Sequence, residues 1–171
     1  SLTNVTIPGN VTTIGYDAFS GCNSLTSVII PDSVTSIGSD AFEDCENLES
    51  VTIGAGVTSI SSYSFRGCCS LTSIEVDSAN QEYSSDGKML LSKDKTTLLM
   101  YPSATGDVTI PNGVIEIGDY AFQDCDSLTS VTIPDSVTTI GYEAFYYCEN
   151  LKSVTIGNSV TTIGNYAFSG C

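Results

Sequence analysis

Hydrophobic residues recur along this chain with a period of 23 residues. Two columns of alternating β-branched residues come first in each repeat, and they are Val5, Val28, Val51, Val108, Val131 and Val154, then Ile7, Ile30, Ile53, Ile110, Ile133 and Ile156. Two further columns follow, and they are Val11, Val34, Val57, Val114, Val137 and Val160, then Ile14, Ile37, Ile60, Ile117, Ile140 and Ile163. Identical residues at one pitch stack over one another, so the pattern predicts a solenoid with a continuous core.

The polar positions within one repeat predict its local structure. Val28 and Ile30 alternate with Ser27 and Ile29, which is typical of a strand with one buried face. Pro31 ends that strand because it has no N–H to donate. Residues 39–45 then predict about one helical turn that carries Phe42 inward. All six phenylalanines of the protein lie at this position, and they are Phe19, Phe42, Phe65, Phe122, Phe145 and Phe168.

Residues 77–106 depart from the repeat and form an insertion in the fourth of six predicted turns. Two short apolar runs, 88–92 and 97–101, flank a polar Lys-Asp-Lys sequence and predict a β-hairpin. Two interpretations remain open for it. The hairpin packs its own Leu90, Leu99 and Tyr101 against the solenoid, or it protrudes as a binding element. In both cases residues 1–171 form one domain.

Six of the seven cysteines form a further column, Cys22, Cys45, Cys68, Cys125, Cys148 and Cys171. Stacked at about 4.8 Å with parallel Cβ vectors, they have poor disulfide geometry and are expected to be free, buried thiols. Cys69 lies outside this column and is expected nearer to solvent. The chain has no histidine and no C-x-x-C motif, so we expect no metal site and no cofactor.

The repeat L-x-x-V-x-I-P-x-x-V-x-x-I-G-x-x-A-F-x-x-C resembles the BspA-like, Treponema-type class of leucine-rich repeats. The resemblance covers the chain outside residues 78–106. It implies an α/β repeat fold, a right-handed solenoid with a parallel sheet on the concave face and short helical turns on the other side. It also implies a protein on a microbial cell surface or a secreted protein, with a role in adhesion and recognition.

Charge and composition exclude several classes of function. Five basic against twenty acidic residues give a net charge of −15, which disfavours nucleic acid and anionic membrane as partners. No apolar run reaches the roughly 18–20 residues of a membrane span. The acidic residues cluster beside the cysteine column without a calcium-loop motif, so a solvated edge is favoured over a calcium site. Repeated Ser and Thr without a base do not make one active site, so we expect no enzyme.

Tyrosines are the residues that the repeat explains least. Tyr146 and Tyr147 replace Ser, Gly or charged residues of the other repeats. Exposed tyrosine is a common interface anchor. The candidate ligand-binding residues are Tyr120, Tyr142, Tyr146, Tyr147 and Tyr166. The alternative is that they only stack laterally between turns.

The functional expectation is a non-catalytic recognition module that binds a protein or glycan ligand of a host or neighbouring cell. The alternative is a structural spacer or stalk without a specific ligand. Both ends of the repeat array lack polar caps, so we expect either a fragment of a longer array or end-to-end self-association.

Overall fold

The protein is a β-solenoid of seven turns. The computed structural model describes residues 2–171, so Ser1 lies outside it. Within that stretch there are fifteen strands and no helix. The strands, β1 to β15 in chain order, are Thr13–Ile14, Ser27–Ile30, Ser36–Ile37, Ser50–Ile53, Ser59–Ile60, Ser73–Val76, Tyr83–Ser85, Leu90–Ser92, Thr97–Met100, Gly106–Thr109, Glu116–Ile117, Leu128–Ile133, Thr139–Ile140, Ser153–Ile156 and Thr162–Ile163.

Parallel strands line two walls of the solenoid, and within each half a strand pairs with the equivalent strand of the next turn, usually 23 residues further along. In the first wall, β2 pairs with β4 so that Val28 lies beside Val51. In the second wall, β3 pairs with β5 and Ile37 lies beside Ile60. Val28 and Ile30 are buried, whereas Ser27 and Ile29 are exposed. The period-2 pattern therefore sets which face of each wall reaches the core.

The expected helical turns are absent, and the assignment to an α/β fold is wrong. Around five of the six phenylalanines, the residue two positions before and the residue two positions after are both in the left-handed region, as at Asp40 (φ 54°) and Asp44 (φ 53°) around Phe42. A helix cannot continue through such residues. The alternate N–H groups instead donate to the next turn, with Phe42 N to Ser64 O at 2.8 Å and Asp44 N to Arg66 O at 2.8 Å.

The phenylalanine and cysteine columns form the core of this corner. The rings stack face to face, with centroids 4.7 Å apart for Phe122 and Phe145 and 5.0 Å apart for Phe145 and Phe168. Four cysteine thiols donate to the carbonyl of the Phe one turn earlier, as Cys148 Sγ does to Phe122 O at 3.0 Å, and Cys125 Sγ donates to Tyr101 O at 3.2 Å. The same carbonyl also accepts the backbone N–H three residues further along, as Phe122 O does from Cys125 N at 3.3 Å, so the thiol adds a second bond to it.

The count of six turns is also wrong, because the insertion returns to the repeat and completes an additional turn. Leu98 lies beside Ile117 in the strand register. Tyr101 takes the place of the Phe, since its N–H donates to Ala121 O at 2.7 Å. Ala104 is buried at the cysteine position. We therefore number the turns one to seven, with this one as turn four.

Turn four is divided between the two halves of the solenoid. Its first strand, β6, pairs in parallel only with turn three, apart from a single bridge from Ile74 to Gly87 of the insertion. Its second solenoid strand, β9, pairs in parallel only with turn five. Residues 77–96 connect the two and form β7 and β8, which pair antiparallel in the order β7-β8-β9. Leu90 of β8 packs in the core of the first half, and Leu91 packs in the core of the second.

Backbone pairing between turns is interrupted at this division. The N–H groups of Phe65 and Gly67 find no acceptor among residues 2–171, although their equivalents Phe42 and Asp44 donate to the next turn. On the second wall, a side chain takes the place of a neighbouring strand at the edge of β5. The Tyr83 hydroxyl accepts a hydrogen bond from Ile60 N at 3.0 Å.

Asn80 fixes the insertion to turn three. Its side chain is fully buried, and Nδ2 donates to Gly54 O and to Val57 O at 2.9 Å each. Its Oδ1 accepts from Glu82 N at 2.9 Å and from Tyr83 N at 2.8 Å. All four hydrogen-bonding positions of this amide are therefore used, and these bonds offset the free energy of removing the amide from water.

We predict that Phe145→Ala lowers the free energy of unfolding by about 3–5 kcal/mol, because it opens a cavity between two stacked rings. Phe168→Ala should cost less, because Phe168 is only half-buried and stacks on a single ring. Urea unfolding of both variants measures the difference. Equal losses at the two positions would contradict the stacked core.

We predict that Asn80→Ala lowers the free energy of unfolding by about 3 kcal/mol, since it leaves buried carbonyl and N–H groups without partners. The control is Asn47→Ala, whose amide makes an exposed bond to Asn23 O at 2.7 Å, and it should cost below about 1 kcal/mol. Urea unfolding measures both free energies of unfolding. A similar decrease in the two variants would exclude the anchoring role of Asn80.

Candidate binding surface

Four tyrosine rings form a row along the corner that precedes the phenylalanines. Ring centroids lie 4.1 Å apart for Tyr63 and Tyr120, 5.4 Å for Tyr120 and Tyr142, and 6.0 Å for Tyr142 and Tyr166. The last two contacts are edge-to-face, an arrangement that aromatic quadrupoles favour. We call Tyr63, Tyr120, Tyr142 and Tyr166 the tyrosine row.

The row contains three of the five candidate residues and adds Tyr63. Tyr146 and Tyr147 form a separate edge-to-face pair with centroids 4.4 Å apart. Within residues 2–171 no ring contact joins this pair to the row. Sequence reasoning passed over Tyr63 because the insertion separates it from Tyr120 along the chain, although the structure brings the two rings together.

Exposure increases along the row. Tyr63, Tyr120 and Tyr142 are partly buried, whereas Tyr166 is 62% exposed. In the pair, Tyr147 is 46% exposed and Tyr146 is partly buried. Rings of this kind are held by their neighbours and still present a face to solvent, which is the condition of an interface anchor.

Three of these tyrosines occupy strained backbone positions. Tyr120 (φ 60°), Tyr147 (φ 54°) and Tyr166 (φ 58°) are left-handed. A bulky residue pays about 1–2 kcal/mol for that conformation. The equivalent left-handed positions of other turns hold mainly Asp and Gly, which tolerate it best, and in one case Glu: Asp17, Asp40, Asp44, Asp124, Gly21, Gly67, Gly170 and Glu143. The fold therefore does not require tyrosine there, and strain of this kind concentrates at functional sites.

Three of these tyrosines, Tyr120, Tyr142 and Tyr146, have raised pKa values. The neighbouring Glu143 carboxylate raises the pKa of Tyr142 to about 12. Burial, together with contact with Tyr63, raises the pKa of Tyr120. Burial and the Tyr147 hydroxyl raise the pKa of Tyr146. An acid with a raised pKa keeps its proton to higher pH, so these hydroxyls do not ionise near neutrality.

Acidic side chains dominate the surroundings, and few cations balance them. In the part of the chain that the structure describes, both ion pairs involve Arg66, which contacts Glu43 and lies 3.6 Å from Asp40. Its guanidinium also lies 5.8 Å from the centre of the Tyr63 ring. Lys93 of the insertion donates hydrogen bonds to the carbonyls of Ser78 and Asn80, so its ammonium group stabilises the insertion itself.

The remaining chemistry of the surface is limited. Burial and nearby carboxylates raise the pKa of the exposed Cys69 thiol. No cluster of three metal-ligating side chains occurs over residues 2–171. The same stretch contains no helix of the length and hydrophobicity that a membrane crossing requires. The surface offers aromatic faces, hydroxyl donors and carboxylates, which suit binding.

Comparison with known proteins agrees with this architecture. The family model for the BspA type leucine rich repeat region matches residues 1–87 and 99–171 in six copies. The chain therefore belongs to the BspA-type leucine-rich repeat family. No curated protein matches it.

Several solved structures share the fold. The pneumococcal vaccine antigen PcpA is 27% identical with a TM-score of 0.74, over 94% of this chain and 46% of that one. A leucine rich cell surface protein of Faecalibacterium prausnitzii is 28% identical with a TM-score of 0.67, over 94% and 55%. The Treponema pallidum leucine rich repeat protein is 29% identical with a TM-score of 0.60, over 94% and 70%. The chain thus spans about half the length of the first two relatives.

We predict that Tyr147→Gly is more stable than Tyr147→Ala by about 1 kcal/mol, because only glycine adopts the left-handed conformation without cost. At Tyr146, which has an ordinary backbone conformation, Gly should be less stable than Ala. Urea unfolding of the four variants gives both differences. The same order at both positions would exclude strain at Tyr147.

Proposed function

We propose that the chain is a non-catalytic recognition module of a microbial cell-surface or secreted protein, and that it binds a protein or a glycan through its tyrosines. The tyrosine row and the Tyr146–Tyr147 pair together form the proposed ligand surface. The observation that carries the proposal is the strain at Tyr120, Tyr147 and Tyr166, which packing does not require.

Chemistry and family support this assignment. Partly held aromatic rings bury large area at small entropic cost, and they stack on sugar rings as well as on protein groups. A solenoid also offers an extended surface for recognition. The description of the Faecalibacterium prausnitzii relative as a cell surface protein supports the location that we propose for this chain.

A spacer role is the second candidate, and one observation favours it. The rings of the tyrosine row contact one another across successive turns. Each contact can stabilise the solenoid without any ligand, at about 0.5–1.5 kcal/mol per aromatic pair. In that case the proteins of this family would use the array to hold other segments away from the surface.

Binding to arrays of extracellular host proteins and of glycans distinguishes the two roles. The variants are Tyr146→Ser with Tyr147→Gly, copied from turn seven, and Tyr120→Asp with Tyr166→Asp, copied from turns one and two. Tyr16→Ser is the matched control, since Tyr16 is 71% exposed and lies outside the proposed surface.

We expect the parent protein to bind at least one array component, and each double variant to weaken that binding by about ten-fold or more, as for loss of an aromatic anchor. The control should bind like the parent. Absence of any bound component would favour the spacer. Equal binding by all variants would place the ligand away from the tyrosines.

A further inference from the structure

A cavity of about 300 Å³ opens between turn three and turn four on the second wall. Its apolar lining comes from Ile60, Leu90, Leu99 and Met100, and its charged lining comes from Glu116 and Asp119. We call it the turn-four cavity. Its walls come from three different turns and from the insertion, so the cavity has no equivalent elsewhere in the repeat.

The cavity follows from the division of turn four. Strand β9 pairs with turn five and with β8, and its partner in a regular solenoid, β5, is left at the edge of its own sheet. The corner of turn four is also short, since Tyr101 follows Leu98 by three positions whereas Phe122 follows Ile117 by five. Turn four is therefore recessed between its two neighbours.

The lining has two chemically different zones. Leu90 and Met100 are buried, and with Ile60 and Leu99 they present aliphatic surface. Glu116 and Asp119 are exposed at the opening. Asp119 accepts a hydrogen bond from Tyr142 N at 2.7 Å, which orients its carboxylate, and Glu116 has no ion-pair partner within residues 2–171.

No lysine or arginine of the described chain lines this cavity. The two ion pairs of the described residues belong to Arg66, which is occupied by Glu43 and Asp40. The whole chain carries a net charge of −15. The two carboxylates at the opening therefore suit a cation from outside the chain. The aliphatic side chains deeper in the cavity suit the apolar stem of a long side chain.

We propose that the turn-four cavity is an anchor pocket for a lysine or arginine side chain of a partner protein. The stem lies against the aliphatic lining, and the charged head pairs with Glu116 and Asp119. The pocket is separate from the proposed tyrosine surface, so either site can bind without the other. A partner that reaches both would meet the two at neighbouring positions, because Asp119 and Tyr120 are consecutive.

The test uses N-acetyl-lysine methylamide and N-acetyl-arginine methylamide as probes in an amide NMR titration of the whole chain. N-acetyl-norleucine methylamide is the matched probe, since it keeps the stem without the charge. We expect saturable shifts at Ser61, Ser62 and Thr97 with both basic probes, and at least about five-fold weaker binding of norleucine.

The variant is Glu116→Thr with Asp119→Asn, which copies Thr139 and Asn165 from the matching positions of turns six and seven. It should weaken the basic probes by about five-fold and leave norleucine unchanged. The control is Glu149→Gln with Asp135→Asn, which removes the same charge outside the cavity lining. It should bind like the parent.

Three results would overturn the proposal. They are the absence of saturable shifts with the basic probes, equal affinity for norleucine, and equal weakening in the variant and the control. Each of these measurements reports on the turn-four cavity alone. A negative result would therefore not affect the test of the tyrosine surface.

Discussion

The turns of this protein complete most of their hydrogen bonds and their core only by lying against neighbouring turns. The strands of both walls pair across turns, and the left-handed corners direct alternate N–H groups toward the following carbonyls. One turn has too few residues to bury its own apolar face. The 23-residue register is therefore the constraint on which the fold depends, since a shift of one position would move every column out of line.

The insertion is where this constraint is relaxed. Turn four divides its strands between the two halves, and β8 replaces the lost contact by placing Leu90 and Leu91 in opposite cores. Asn80 supplies the polar part of that replacement through its four hydrogen bonds. The cost is incomplete pairing at Phe65 and Gly67 and a cavity beside β5. The irregular features of the surface thus have one origin.

The sequence predicted the columns because burial in a solenoid requires identical residues at one pitch. It did not predict the corners, because Asp40 and Asp44 around a buried Phe are compatible with a helical turn as well as with left-handed residues. The Asp and Gly residues at these positions were the available signal, and the tyrosines at Tyr120, Tyr147 and Tyr166 concealed it. Turn four was missed because a short corner and an Ala in place of Cys remove its pattern.

The divided turn also has a mechanical consequence. A solenoid resists bending because it has two walls of hydrogen-bonded strands on different sides, and bending must stretch the pairing in at least one of them. Between turns three and four only the first wall is paired in parallel, and between turns four and five only the second. Each junction therefore has a single wall of continuous parallel pairing. Backbone hydrogen bonds thus oppose bending least at the insertion, where side-chain packing of β8 takes over part of their role.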